Sequence, residues 1–165
     1  MSDIRSATKA DIPAILRVTE AAREIMRSSG NPKQWTGNYP SAEILEKDIA
    51  AGGGKVIEQD GRIVGYFAFL PSPDPTYSTI EGGAWLDDTL PYHVIHRIAS
   101  VPDVHGIFSR IMEYAFANDS NIRIDTHRDN AIMQHNLQKH GFSYCGIIYL
   151  ASGDERLAFQ KLIHA

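Results

Sequence analysis

One cysteine in 165 residues, Cys145, excludes an intrachain disulfide. Long hydrophobic runs are also missing. The longest, Ile63 to Leu70, is broken by Gly65 and is far too short to cross a bilayer. The opening MSDIRSATKAD lacks the apolar core of a secretory signal. Positive charge is not in excess: 16 Lys and Arg face 20 Asp and Glu, which argues against a broad nucleic-acid-binding face. No Gly-Lys-Ser/Thr completes a Walker loop, and no G-x-G-x-x-G follows the first strand, so P-loop and dinucleotide-binding folds are disfavoured. His93 and His96 are close along one strand and on opposite faces, so no metal site is expected there. What these absences leave is one globular domain over residues 1–165 in a reducing, cytoplasmic setting, with no membrane and no nucleic-acid partner.

The chain punctuates itself clearly. Ile4 to Ala7 reads as a short strand. Thr8 can cap a helix from Asp11, in which Ile12, Ile15, Leu16, Ala22, Ile25 and Met26 recur at helical spacing to about Ser28. Ser29-Gly30-Asn31-Pro32 stops it. Ser41 looks like the cap of a second helix with Ile44, Leu45 and Ile49, ended by three glycines from Gly52. Lys55 to Glu58 and Arg62 to Leu70 flank Gln59-Asp60-Gly61, a hairpin signal. Pro71 to Tyr92, with Pro71, Pro73, Pro75 and Pro91, reads as a long, partly structured connection. His93 to Ser100 is apolar enough for a central strand. Gly106 to Asn118 predicts an amphipathic helix, Asn121 to Thr126 a strand, and Asn130 to His140 a helix stopped by Gly141. Phe142 to Leu150 and Arg156 to Ile163 form a last hairpin around Ser152-Gly153-Asp154. The order β-α-α-β-β-β-α-β-α-β-β implies an α/β or α+β layer fold with a mixed sheet.

Strand, short loop with Gly106, then helix is an anion-binding geometry, because the first N–H groups of a helix lack internal partners and its dipole favours negative charge there. Alone, a glycine before a helix marks only a turn. The combination over Tyr92 to Phe142 is more specific. HRIAS, DVHGIF, a helix, NIRIDTH and NAIMQHNLQKHGF follow in order, with IRSATKADIPAI and DGRIVGYFAF upstream. In this order and spacing the chain resembles the GNAT superfamily of N-acetyltransferases, over nearly its whole length. The resemblance implies a mostly antiparallel mixed sheet flanked by helices on both faces. It also implies acetyl-CoA as co-substrate and direct acetyl transfer to a primary amine of a small molecule or peptide.

By that analogy Ile98, Ala99 and Ser100 would pair with the pantetheine arm. The amides from Val104 through His105, Gly106, Ile107 and Phe108 to Ser109 would hold the pyrophosphate, and Asn130 and Met133 would touch the CoA arm. The loop departs from the family pattern: Asp103 replaces a Gln or Arg and is expected to point away, Phe108 replaces a Gly or Ala, and the segment Ser100 to His105 is shorter than the usual version. Backbone amides do the binding, so the site tolerates such changes. Leu137 occupies the place of the tyrosine that many members use as general acid, so that role does not carry over.

Simple alternation puts Val94, His96, Ile98 and Ser100 on one face of their strand. By the resemblance the family's glutamate base falls near Val94, and His96 is next along that face. A histidine side chain can accept a proton at physiological pH, so His96 is the preferred base; the plain alternative is a buried histidine satisfied by its neighbours. His127, at the end of the next strand, is a second candidate. Tyr149 and Tyr144 could protonate the leaving thiolate, or simply pack. Transfer can also proceed chiefly by orientation and polarisation of the thioester. Trp35 and Tyr39 could wall an acceptor pocket, and Asp74, Glu81, Asp87 and Asp88, with no Lys or Arg among them, would attract a cationic amine. Two other functions compete: a silent acyl-CoA-binding sensor or interaction module, and an anion-binding domain unrelated to CoA. Strand edges in the last hairpin leave a homodimer open.

Overall fold

The computed structural model describes residues 2–163; the ends of the expected 1–165 domain, residues 1, 164 and 165, lie outside them. The elements are β1 (Ser2–Ser6), α1 (Ile12–Ser28), α2 (Ala42–Ala50), β2 (Gly54–Gln59), β3 (Arg62–Pro71), β4 (His93–Ser100), α3 (Ile107–Asn118), β5 (Asn121–Thr126), α4 (Ala131–Lys139), β6 (Ser143–Tyr149) and β7 (Glu155–Leu162). This is the order expected from sequence. The helix starts differ slightly: a 3-10 turn, Lys9–Asp11, precedes α1, and the Thr8 N–H donates to Asp11 Oδ2 at 2.8 Å, so the cap runs from Asp11 back to Thr8.

The seven strands form one sheet in the order β1-β2-β3-β4-β5-β7-β6, antiparallel everywhere except between β4 and β5. Period-2 alternation sends neighbouring residues to opposite faces. Val56 and Tyr66 pack with Ile15 and Leu45 of α1 and α2, while Ile57 and Phe67 pack with Ile107 and Ile111 of α3. Helices therefore cover both faces of a mixed sheet, as the sequence implied. The connection before β4 is pinned by a buried arginine. Arg123 lies between the rings of Trp85 and Tyr92, its guanidinium carbon 4.0 and 3.9 Å from their centroids. Cys145 is buried beside Tyr77 and Trp85, and burial pushes its thiol pKa up.

One irregularity shapes everything downstream. Ala68 pairs with His96 and Tyr66 with Ala99, so Arg97 and Ile98 together oppose Phe67, and Arg97 takes a left-handed φ of 57°. This is a β-bulge, which bends and twists its strand. It overturns the expected face assignment. Val94 and His96 face one side, but Ile98 packs with Ile95 in the α3-side core, while Arg97 joins His96 on the other side. Simple alternation fails because one extra residue resets its phase. The strained φ is held by a buried ion pair: Arg97 donates to both carboxylate oxygens of Asp48, at 2.8 Å from Nε and 2.5 Å from Nη2. Tyr66 donates its hydroxyl to the same carboxylate at 2.7 Å.

Asp48→Ala would leave the Arg97 guanidinium without its counter-ion in a nearly dry site. Denaturant unfolding should show a loss of about 3–5 kcal/mol, the range for breaking one side of a buried pair.

Candidate active site

The parallel β4–β5 ladder holds only two residue pairs, His93 with Ile122 and Val94 with Arg123. Beyond Val94 the two strands diverge, and the edge of β4 that would face β5 has no strand partner. The gap is walled by Ile95, Ile98, Ile124, Thr126 and Met133. On one side it adjoins a cavity of about 150 Å³ lined by Ala22, Ile98, Ser100, Phe108, Asn130 and Met133. On the other it adjoins a polar cavity of about 360 Å³ lined by Trp35, Tyr39, Asp74, His96, Asp125 and Arg156, among others. The cleft thus runs through the sheet, largely apolar at one end and charged at the other.

Gly106 caps α3 at the apolar end with φ 80°, a conformation that costs a residue with a side chain but not glycine. A Cβ there would meet nothing within 4 Å, so the backbone angle, not space, requires glycine. The Arg110 N–H reaches the Gly106 carbonyl at 3.2 Å. Among the described residues, the amides of Ile107, Phe108 and Ser109 find no acceptor. They are the orphan donors of a helix start. The side chains around them are engaged elsewhere. Asp103 is turned to Arg62 at 2.9 Å. Phe108 packs edge-on against His140, which also accepts the Ser109 hydroxyl at 3.1 Å. Val104 is half-buried and His105 exposed. Asn130 is spent locally: its Oδ1 accepts the Met133 N–H at 3.0 Å, and its Nδ2 donates to Gln34 at 3.0 Å.

At the charged end His96 sits between two carboxylates. Its Nε2 lies 2.9 Å from Asp74 Oδ2 and its Nδ1 3.8 Å from Asp125 Oδ2. Burial alone would raise the Asp74 pKa. Hydrogen bonds from His96 and Thr76 outweigh it and hold the carboxyl at about 2. An ionised carboxylate only accepts, so Nε2 carries the proton and, on a neutral ring, Nδ1 keeps its lone pair. That lone pair faces the gap before Asp125, whose other partner is the hydroxyl of buried Tyr77 at 2.7 Å. Tyr39 and Trp35 do wall this cavity. Tyr39 accepts from Arg97 Nη1 at 3.2 Å, and its carbonyl accepts from buried Arg23 at 2.7 Å.

The remaining candidates separate from His96. His127 lies in a neighbouring cavity with Lys33, Arg128 and Arg156, its Nδ1 accepting the Asp129 N–H at 3.0 Å. Burial and Arg156 both lower its pKa. Tyr149 is partly exposed, donates to Glu81 at 3.0 Å and lines none of these cavities; Tyr144 packs edge-on against Phe159. The outer strand β6 turns both phenols away from the cleft. Leu137 is fully buried in the α3-side core. Sequence reasoning missed Asp125, Tyr77 and Gln34, and took Asp74 only as part of an acidic loop. Gln34 Oε1 gathers donors from Asn31, Thr126, His127 and Asn130, tying the QWTGNYP loop to the ends of β5 and α4. No local signal marks their place in the site, because the partners that put them there are far away in sequence: His96 for Asp74, Tyr77 for Asp125, and Thr126, His127 and Asn130 for Gln34.

A mixed, mostly antiparallel seven-stranded sheet opened between two parallel strands is the GNAT fold. No family model matches the chain. No curated protein sequence matches it either. Solved structures do. The chain superposes on a GNAT-family acetyltransferase from Streptococcus agalactiae with a TM-score of 0.86 and 32% identity, over 99% of this chain and 96% of that one. It therefore belongs to the GNAT family of acetyltransferases. Two further structures share the fold at lower identity. A GNAT-family acetyltransferase from Listeria monocytogenes is 17% identical with a TM-score of 0.71, covering 98% of this chain and 95% of that one. The ribosomal-protein-S18-alanine N-acetyltransferase from Escherichia coli is 12% identical with a TM-score of 0.64, covering 100% and 96%.

The depressed Asp74 pKa has a thermodynamic consequence. A carboxyl whose folded pKa lies below its unfolded value stabilises the fold above the unfolded pKa, and that stability is lost as pH falls through the folded one. Asp74→Asn should therefore cost about 2 kcal/mol at neutral pH. The gap to the native chain should close between about pH 4 and pH 2, as measured by urea unfolding at several pH values.

Proposed function

We propose that the chain is an acetyl-CoA-dependent N-acetyltransferase of one domain, acting on a primary amine by direct transfer in a ternary complex. The observation that carries this reading is the cleft itself, with unclaimed helix amides at one end and a histidine between two carboxylates at the other. The amides of Ile107, Phe108 and Ser109 supply donors and positive dipole potential for a pyrophosphate, with Val104 and His105 leading into the turn. The unpaired edge of β4 at Ile98, Ala99 and Ser100 offers backbone groups to the pantetheine amides, and Asn130 and Met133 form the facing wall. The thioester then lies in the gap, pointing at the polar cavity.

The acceptor enters from that cavity, past Trp35 and Tyr39. An ammonium group between Asp125 and His96 would donate to both, and His96 Nδ1 can take its proton. The neutral nitrogen attacks the thioester carbonyl carbon, the tetrahedral intermediate gives its second N–H proton to solvent, and the C–S bond breaks to release CoA thiolate and the amide. Asp74 fixes the ring's tautomer and stabilises the imidazolium. Neither Tyr149 nor Leu137 serves as acid in this scheme. The thiolate can take its proton from solvent, and the rate comes mainly from orientation in the cleft.

Acetyl-CoA at a hundredfold excess over its dissociation constant should stabilise the protein by about 2.7 kcal/mol in a thermal-shift assay. Thiol release should appear with primary amines. Stabilisation without release across a broad panel of amines would favour a silent acyl-CoA sensor, and no stabilisation by any CoA species would overturn the reading. His96→Gln should lower kcat by roughly 10²–10⁴-fold, the range for a lost general base, and flatten the alkaline rise in rate.

A further inference from the structure

The polar cavity holds a charge that the transfer chemistry leaves unused. Arg156, on β7, is only 6% exposed, yet among the described residues its guanidinium forms no ion pair. It donates to two backbone carbonyls, Glu155 at 2.8 Å and Gln34 at 3.4 Å, the second a long bond. Nearby carboxylates do not neutralise it. Glu155 is paired with Arg128, and Asp129 lies 3.6 Å from His127. Asp154, exposed on the rim, stays beyond ion-pair distance. A buried, unpaired cation is costly, and buried charges are ordinarily matched by a partner or a ligand. The other buried arginines of the chain are each matched: Arg23 with Glu20, Arg123 with Asp88 and two aromatic faces.

Its position gives the missing partner a place. Asp125 of β5 pairs with Ala158 of β7, and Arg156 lies two residues from Ala158, on the same face of the sheet. Arg156 is thus the diagonal cross-strand neighbour of Asp125, roughly 7–8 Å away. Both line the 360 Å³ cavity that His96 also lines, and Lys33 adds a second cation on its rim. A cation and an anion held this far apart, unbridged by each other, match a small molecule carrying both charges.

We infer that the acceptor is a zwitterion: its amine lies against Asp125 and His96, and a carboxylate or phosphate on the same small molecule pairs with Arg156. This rests on the proposed transfer function for its amine half, and on Arg156 alone for its anion half. Free amino acids and aminoalkyl phosphates are the two sources of such a molecule. An unfunctionalised polyamine, with nothing to offer Arg156, is disfavoured.

The test uses the native protein with matched acceptors: α-amino acids, their carboxamides, the corresponding decarboxylated amines, and aminoalkyl phosphates. Binding is followed by thermal shift and transfer by thiol release. One anionic class should exceed its uncharged counterpart in kcat/KM by roughly 10–100-fold, the value of a charge-assisted bond, and which class does so identifies the anion. Arg156→Gln should raise KM for that acceptor by a similar factor while KM for acetyl-CoA stays within about twofold, and Arg156→Lys should restore part of it. Equal use of charged and uncharged acceptors by the native protein overturns the inference, whatever the variants do. So does an Arg156→Gln effect confined to KM for acetyl-CoA, or the absence of any response to every anionic acceptor. A thermal shift with an anionic acceptor but no thiol release would uphold the anion site while removing the transfer reading.

Discussion

The structure depends on β4 being unable to follow β5. The two strands pair for two residues and part after Val94, and further along β4 a bulge sets Arg97 and Ile98 opposite Phe67. A continuous parallel ladder would have filled the space between α1 and α4 with backbone hydrogen bonds. Instead a cleft runs through the sheet, with unpaired backbone along one wall. The Asp48–Arg97 ion pair supports this geometry: both oxygens of one carboxylate hold the guanidinium of a non-glycine residue in the left-handed region.

Polarity is divided sharply across the cleft. On the α3 side the walls are largely apolar, and among the described residues the free polar groups there include the helix amides, the unpaired backbone of β4 and the buried side-chain oxygen of Asn31. On the other side Asp74, His96, Asp125, Arg97 and Arg156 share one cavity. Such a grouping is expensive for a small domain, since each charge gives up solvation. The fold recovers part of the cost by internal pairing: Asp74 with His96, Asp125 with Tyr77, Arg97 with Asp48. Arg156 is the exception. A site that pairs every buried charge but one, and aims that one into a cavity, describes its ligand by complement.

Two side chains that depart from the family's usual pattern are engaged away from the free amides at the start of α3. Asp103 is drawn aside by Arg62, and Phe108 has turned to His140. Leu137 is absorbed by the core, in a position where a hydroxyl would need a buried partner. This chain's proton handling, if it follows the proposal, relies on a histidine oriented by a loop aspartate. Gln34 ties the surroundings together, since one amide oxygen joins the loop after α1, the end of β5 and the start of α4.

The sequence by itself determined the elements, their order and the fold family. Periodicity, caps and glycine stops are local signals, written in residues a few positions apart. It also singled out the Gly106 turn and His96, one by its place before a helix and the other as a proton-accepting side chain on the central strand. It misjudged the face shared by His96 and Ile98, because a bulge is set by the pairing partner and leaves no mark on the strand's own alternation. Tyr149 and Tyr144 were drawn toward the site by their chemistry, and β6 lies at the far edge of the sheet. Asp74, Asp125 and Arg156 meet in one cavity only because β4, β5, β7 and the connection before β4 converge there. Their sequence separations reach tens of residues, and charge placement over such distances is decided by topology, which only the folded sheet supplies.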